Sequence, residues 1–487
     1  MQRKFGTVAI LAILTLAVGS LSADQPGEAG ALGERLDQDA LVEMSLTQAI
    51  REGERIFTTP FNHLDGYGDG PLDPVDTISP GGRPTLQGNG MFLRINGLDA
   101  QACLECHTLV SNATVPATLG IGGAGGSNAN AIIQPSDIDP ADLDLDGVAS
   151  FSGRFANPPA LFGVGGVELV GLEMTAELQA LKQLAIDNPF SPVDLVAKGV
   201  EFGTITADGL GNVDTSLVEG VDDDLVVRPF GRKGEFATTR DFDLAAMMFH
   251  FGIQPVEEVG AGVDGDGDGM LDEVSVGEIS ALGVFLSTRP RPVQGPMSGE
   301  AQQGQVLFTN ALGCADCHIP SLFTNTKELP LRFPQVATDP WANVYTEIDI
   351  SKPPAGFTKA GAGVVVPMFA DLKRHDMGPG LAEDFALASD EANREFTTAK
   401  LWGVADSGPW LHDGRAQTLT DAIMMHGGEA QDARDNFAAL SDDQKASLLE
   451  FLRSLQNPRE TSARGNPTRI RGAQQSSASG PRDVSLR

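Results

Sequence analysis

Apolar positions along the chain fall into a few compact groups separated by long polar stretches rich in Gly, Pro and Asp. Glu278 to Ser287 (EISALGVFLS) predicts an amphipathic helix, with Ile279, Leu282, Val284, Phe285 and Leu286 largely on one face. It stops at Thr288-Arg289-Pro290. Lys445 to Leu455 (KASLLEFLRSL) repeats the scheme and stops at Asn457-Pro458. Ser441 is a good N-cap for it, with Asp442 and Asp443 in the first turn. Two further helices share a short signature, Gly53-Glu54-Arg55-Ile56-Phe57 and Gly304-Gln305-Val306-Leu307-Phe308. The halves of the chain therefore repeat a pattern of one helix near the start and one at the end. Near the N-terminus, Arg3 and Lys4 precede an apolar run, Val8 to Val18, and then Leu21-Ser22-Ala23 before Asp24. This predicts a secretory signal peptide over 1–23, with a run too short to span a bilayer comfortably.

Each copy of the repeat carries one chemical motif. Cys103-Leu104-Glu105-Cys106-His107 follows the first signature and Cys314-Ala315-Asp316-Cys317-His318 the second. Cys-x-x-Cys-His is the attachment signature of c-type haem. The two thiols add to the haem vinyl groups, and the adjacent imidazole becomes the proximal iron ligand. Structural zinc would require further Cys or His at short spacing, which neither copy has. All four cysteines are thus consumed by two covalent haems, which predicts export to a periplasm, where such haem is attached. The formal charge of -32 argues against nucleic-acid or acidic-membrane binding and favours solubility, and it could also steer a basic redox partner.

The expected fold class is mainly α: two cytochrome-c-like domains, 40–293 and 294–460, with long loops and insertions. A polar tail over 461–487 is expected to be disordered. Two Asp-rich loops stand out. Asp264, Asp266 and Asp268 alternate with Gly, and Gly269 takes the sixth position, as in an EF-hand loop. Position twelve is Ser275 in place of Glu, which leaves Asp272 or Glu273 as substitutes. The second loop, Asp142-Leu143-Asp144-Leu145-Asp146-Gly147, also lacks the terminal Glu. Calcium is the ligand these loops suggest, with a plain acidic turn as the alternative.

Five histidines remain beyond the two proximal ones: His63, His250, His375, His412 and His426. Here a family resemblance becomes specific. Leu401-Trp402-Gly403-Val404-Ala405, Pro409-Trp410-Leu411-His412-Asp413-Gly414-Arg415-Ala416, Thr418-Leu419-Thr420-Asp421-Ala422-Ile423 and His426-Gly427-Gly428-Glu429-Ala430 follow one another. With Asp371-Leu372 and His375-Asp376-Met377-Gly378, they resemble the di-haem oxidoreductase family, relatives of the bacterial di-haem cytochrome c peroxidases. In those peroxidases the helix after the His-Asp-Gly turn carries a Met that ligates the second haem. The resemblance puts His426 at that position, so His318 and His426 would form a bis-histidine haem; Met424 and Met425 are alternatives, and a structural, helix-capping His426 is another. The relatives also carry a displaceable histidine soon after the first haem motif. Thr108 to Ala131 contains none, which leaves His63, His250, water or an open site.

The resemblance implies an enzyme: a periplasmic cytochrome c peroxidase-like oxidoreductase that takes electrons from a small redox protein at the C-terminal haem and reduces hydrogen peroxide at the N-terminal one. The alternatives are an electron carrier, or a haem oxidase or oxygenase acting on an organic or protein substrate. Peroxide cleavage needs an acid–base group. Glu168 is the first candidate, because it follows a Gly/Pro-rich stretch, Asn157 to Gly166, able to lie over a porphyrin; Glu173 and Glu177 come next. His375, His412 and Asp413 read as structural, and Trp402 and Trp410 as packing or as inter-haem residues.

Overall fold

The computed structural model describes residues 30–68, 100–105, 107, 132–139, 150–383 and 389–458. The expected signal peptide, the tail, the second Asp-rich loop and Cys106 lie outside these residues.

Two helix pairs give the molecule its internal repeat. In the first, Leu46–Thr58 packs on Val276–Ser287; in the second, Gly299–Asn310 packs on Asp442–Arg453. All four start from a serine N-cap, at Ser45, Ser275, Ser298 and Ser441. Each serine hydroxyl satisfies a backbone N–H that the first turn leaves open. The shared glycine explains how closely the helices meet. A Cβ on Gly53 would lie 2.1 Å from the carbonyl oxygen of Ala281, and one on Gly304 1.9 Å from that of Ser447. One turn on from each glycine, an aromatic pair closes the crossing: Phe57 with Phe285 and Phe308 with Phe451, both with ring centres 5.4 Å apart.

Helix Val164–Asp187 is the longest described element, and every residue from Val164 to Met174 is buried. It is apolar all round in that half, so no stripe announces it. Its glycines admit neighbours: Gly165 abuts the Ser287 carbonyl, and Gly166 the ring of Phe357.

The fold corrects the expectation of a mainly α protein. Helix accounts for 38% of the structure and strand for 17%, in several small antiparallel sheets. Much of the chain that reads as inserted loop forms hairpins. Val193–Ala197, Val200–Ala207 and Val213–Val218 make a three-stranded sheet. Glu328–Arg332 pairs with Val344–Asp349, and Thr358–Ala360 with Gly363–Val366 and on to Leu322–Phe323. The larger apolar core runs from the first helix pair through Val164–Asp187 to Leu329, Ile348, Val364, Met368 and Trp402. A smaller core gathers Phe308, Phe369, Phe437, Leu448 and Phe451 around the second pair. Among the described residues no helix is long and apolar enough to cross a membrane.

Candidate haem sites

His107 and His318 are held in the same way. The His107 amide donates to the Cys103 carbonyl at 3.0 Å, and the His318 amide to the Cys314 carbonyl at 2.9 Å, so each motif closes one tight turn. The Nδ1 of His107 lies 3.1 Å from the Pro159 carbonyl, and the Nδ1 of His318 lies 3.0 Å from that of Phe369. A carbonyl can only accept, so each Nδ1 carries the proton and each Nε2 keeps its lone pair for a metal. Such an outer hydrogen bond fixes the ring orientation of a ligating histidine. Burial pushes both imidazoles down to about 4, and the neighbouring His426 adds to the effect at His318. Both rings are therefore neutral, the form that ligates iron.

His426 stands opposite His318. It ends the turn after helix Leu419–Met424, its Nδ1 is 2.7 Å from the Ala422 carbonyl, and burial also lowers its pKa. The two ring centres are 6.5 Å apart with planes inclined by 53°. With metal–imidazole bonds of about 2 Å, two imidazoles on opposite faces of one ion place their ring centres roughly 6 Å apart. The residues around His318 thus fit an iron held by two histidines. Met424 and Met425, on the same turn, are exposed at their side chains.

Of the other histidines, His375 and His412 have partners of their own. His375 bridges two carboxylates, with Nε2 2.8 Å from Asp371 and Nδ1 2.7 Å from Glu429. Burial opposes its charge, but the hydrogen bond to Asp371 and the charge of that carboxylate raise it. Asp371 in turn accepts from the Thr398 hydroxyl at 2.7 Å and the Lys373 amide at 3.0 Å. His412 stacks on Phe396 at 4.6 Å. His250 lies in the π-helical turn Met247–Phe251, and His63 is exposed.

Asn157 ties the stretch that precedes Pro159 to the Pro409–His412 loop. Its side-chain amide donates to the Pro409 and Leu411 carbonyls at 2.8 and 2.9 Å, and its backbone amide to that of His412 at 2.8 Å. Two residues on, Pro159 accepts from His107. The stretch after Asn157 therefore lies at the Nδ1 edge of the His107 ring. Trp402 rests against Gly163, and its neighbour Leu401 donates to the Met368 carbonyl, next to Phe369. Trp410 donates from Nε1 to the Val404 carbonyl at 2.9 Å.

Glu168 is 2% exposed, in the second turn of the long helix. It accepts from the Thr239 amide at 3.1 Å and hydroxyl at 2.8 Å. Burial pushes its pKa up, against the pull of these hydrogen bonds and of Arg332. Asp243, buried close by, is driven well above the usual carboxylate range by burial and by Glu168. A cavity of about 100 Å³ lies beside this cluster, lined by Thr238, Asp241, Arg332 and Gln335. Glu173 and Glu177 are committed to structure. Glu173 takes the amides of Asn325 and Thr326 and pairs with Lys198 at 2.6 Å; Glu177 accepts the Lys198 amide at 2.8 Å. The carbonyls of Pro159 and Phe369 and the clamp of Asn157 had no sequence signal, because any residue supplies a carbonyl.

Residues 284–455 match the model of a family described as "Di-haem oxidoreductase, putative peroxidase". That region holds the second haem motif, His426 and the second helix pair. No curated protein matches the chain. Among solved structures, Kuenenia stuttgartiensis hydrazine synthase, pressurised with 20 bar xenon, is similar at 17% identity, over 39% of this chain and 59% of that one, with a TM-score of 0.24. A MauG-like protein associated with microbial copper homeostasis is similar at 15% identity, over 39% of this chain and 55% of that one, with a TM-score of 0.23. The matched stretch spans less than two thirds of either neighbour.

Proposed function

We propose that this di-haem oxidoreductase is a periplasmic c-type enzyme that reduces hydrogen peroxide with electrons from a small redox protein. Bound haem would supply the redox chemistry, with electrons accepted at the His318 side and peroxide reduced at the His107 side. The observation that carries the reading is the asymmetry between two otherwise matching sites. Each of these imidazoles is fixed through Nδ1, yet a second imidazole lies 6.5 Å from His318, while Thr108 to Ala131 after His107 holds no histidine and leaves His63, His250, water or an open position there. A metal with two protein ligands suits electron transfer, and one with a free position suits a small ligand.

The residues then divide the work. Pro159 and Phe369 hold the rings, and Asn157 anchors the stretch leading to Pro159 on the Pro409–His412 loop. Glu168 is the proposed proton carrier. Its burial favours the protonated form, and Thr239 holds the carboxyl at one oxygen, Oε2. A carboxyl that both takes and returns a proton contributes about 10²–10⁴-fold in rate.

The test is turnover of the mature holoprotein with peroxide and a reduced small cytochrome. Two electrons consumed per peroxide is the expected result. Turnover only with oxygen and an organic substrate would replace peroxidase by oxidase, and no turnover with either would leave an electron carrier.

A further inference from the structure

The Asp264 loop contains a feature that its own sequence pattern does not explain. Asp264, Asp266 and Asp268 each bring one carboxylate oxygen within 4.8 Å of the others. Oxygens bound to one calcium at about 2.3–2.6 Å can be no more than roughly 5 Å apart, so the three fit one ion. The usual twelfth ligand is missing because Ser275 is used otherwise: its hydroxyl caps helix Val276–Ser287 and donates to the Leu36 carbonyl. Asp272 is also occupied, accepting the Gly262 amide at 2.7 Å.

Glu273 is different. It is 3% exposed, and its Oε1 is buried with no hydrogen-bond partner. Its other oxygen accepts the Gln254 amide at 2.7 Å, and the Gln254 side chain accepts the Gly265 amide at 2.9 Å, so Glu273 and the loop share one clamp. A buried carboxylate oxygen without a donor, tied through Gln254 to a loop of three carboxylates, is suited to a cation.

We propose that Asp264, Asp266, Asp268 and Glu273 form a calcium site in which Glu273 takes the place of the missing twelfth-position glutamate. The donor set is all oxygen and flexible, which suits calcium over magnesium. The ion would tie the loop to two neighbouring segments. Gly66 lies against the Glu273 carboxylate, and the Gly68 amide donates to the Phe251 carbonyl at 2.9 Å, within the turn that bears His250. Phe61 and Asn62, at the start of the same segment, pair with Gln101 and Ala100, just before Cys103. The site stands apart from the peroxidase reading and holds whatever the haems do.

The experiment is calorimetric titration of calcium into the chelator-treated holoprotein, with magnesium as the control ion. One calcium per chain is expected, with a dissociation constant of about 10⁻⁴–10⁻³ M, as in extracellular modules. Glu273→Gln should weaken binding at least about tenfold. Asp264→Asn, at the exposed end of the loop, should do the same in a protein that folds as wild type and keeps both haems. Absence of binding at 10 mM calcium (about tenfold above that range) would overturn the proposal. So would unchanged affinity in Asp264→Asn, or in a folded Glu273→Gln. Equal affinity for magnesium would overturn the choice of ion.

Discussion

The imidazoles of His318 and His426 face each other with ring centres 6.5 Å apart, each turned by its own Nδ1 hydrogen bond to a backbone carbonyl. A pair of imidazoles at that spacing fits the proposed reading of two ligands on one low-spin iron. His426→Ala should convert one low-spin signal to high-spin and leave haem content unchanged. His426→Met should restore six-coordination with a higher potential, since Met/His ligation raises it. An unchanged spectrum in His426→Ala would remove this residue from the iron. The measurement is electron paramagnetic resonance with a redox titration.

The close helix crossings predict a second outcome. A methyl group on Gly53 or Gly304 would enter space held by a backbone carbonyl, which cannot move aside as a side chain can. Gly53→Ala and Gly304→Ala should each destabilise the protein by about 1–3 kcal/mol, the usual range for overpacking, or more. Denaturant unfolding of the holoprotein checks this.

Asn157 makes a third. Asn157→Ala removes two hydrogen bonds to the Pro409 and Leu411 carbonyls and should cost about 1–3 kcal/mol. Asn157→Asp should be worse at neutral pH, because it sets a carboxylate against two acceptors. Thermal unfolding and the line width of the His107 haem signal would report both effects.

Stability should also depend on pH through the buried carboxylates. Glu168 and Asp243 are both shifted up in the folded state, chiefly by burial. Groups raised on folding contribute fully below their unfolded pKa, near 4, and lose that contribution as pH rises through the folded value. Asp243→Asn removes this loss, so its stability relative to wild type should be greater at pH 8 than at pH 5. A difference independent of pH would contradict the assignment.

Some of this architecture is legible in the sequence and some is not, for physical reasons. The helix around Ile279 to Leu286 and its stop at Thr288 are as expected, but it is buried on all sides from Gly277 to Ser287 and is not amphipathic; the Ser441 cap follows from capping chemistry. The repeated glycine is visible as a pattern, but its reason, a carbonyl 2 Å away, appears only in the packed pair. Helix Val164–Asp187 escapes because it is buried on all sides in its first half and carries no polar face. Val200–Ala207 does alternate, with Val200, Phe202, Ile205 and Ala207 buried, yet its glycine and bulge interrupt the period. For that reason the strands do not show in the sequence, and the mainly α expectation fails. The described cysteines and histidines of the two motifs, Cys103, His107, Cys314, Cys317 and His318, announce themselves by spacing. Their acceptors at Pro159 and Phe369 do not.

Glu168→Gln keeps the shape of the side chain and removes its proton. It should leave haem content intact and slow peroxide turnover at least tenfold, within the range of about 10²–10⁴ for acid–base catalysis or just below it. Wild-type turnover in this variant would remove Glu168 from the reaction, and the commitments of Glu173 and Glu177 to Lys198 would leave neither as a ready replacement.

The most direct test of the central claim is the electron paramagnetic resonance spectrum of the half-reduced holoprotein before and after hydrogen peroxide. The account predicts two haem centres, one low-spin with His318 and His426 as ligands and one that changes on adding peroxide as the first is reoxidised. Two low-spin centres that ignore peroxide, or a protein whose intact mass lacks two covalent haems, would contradict it.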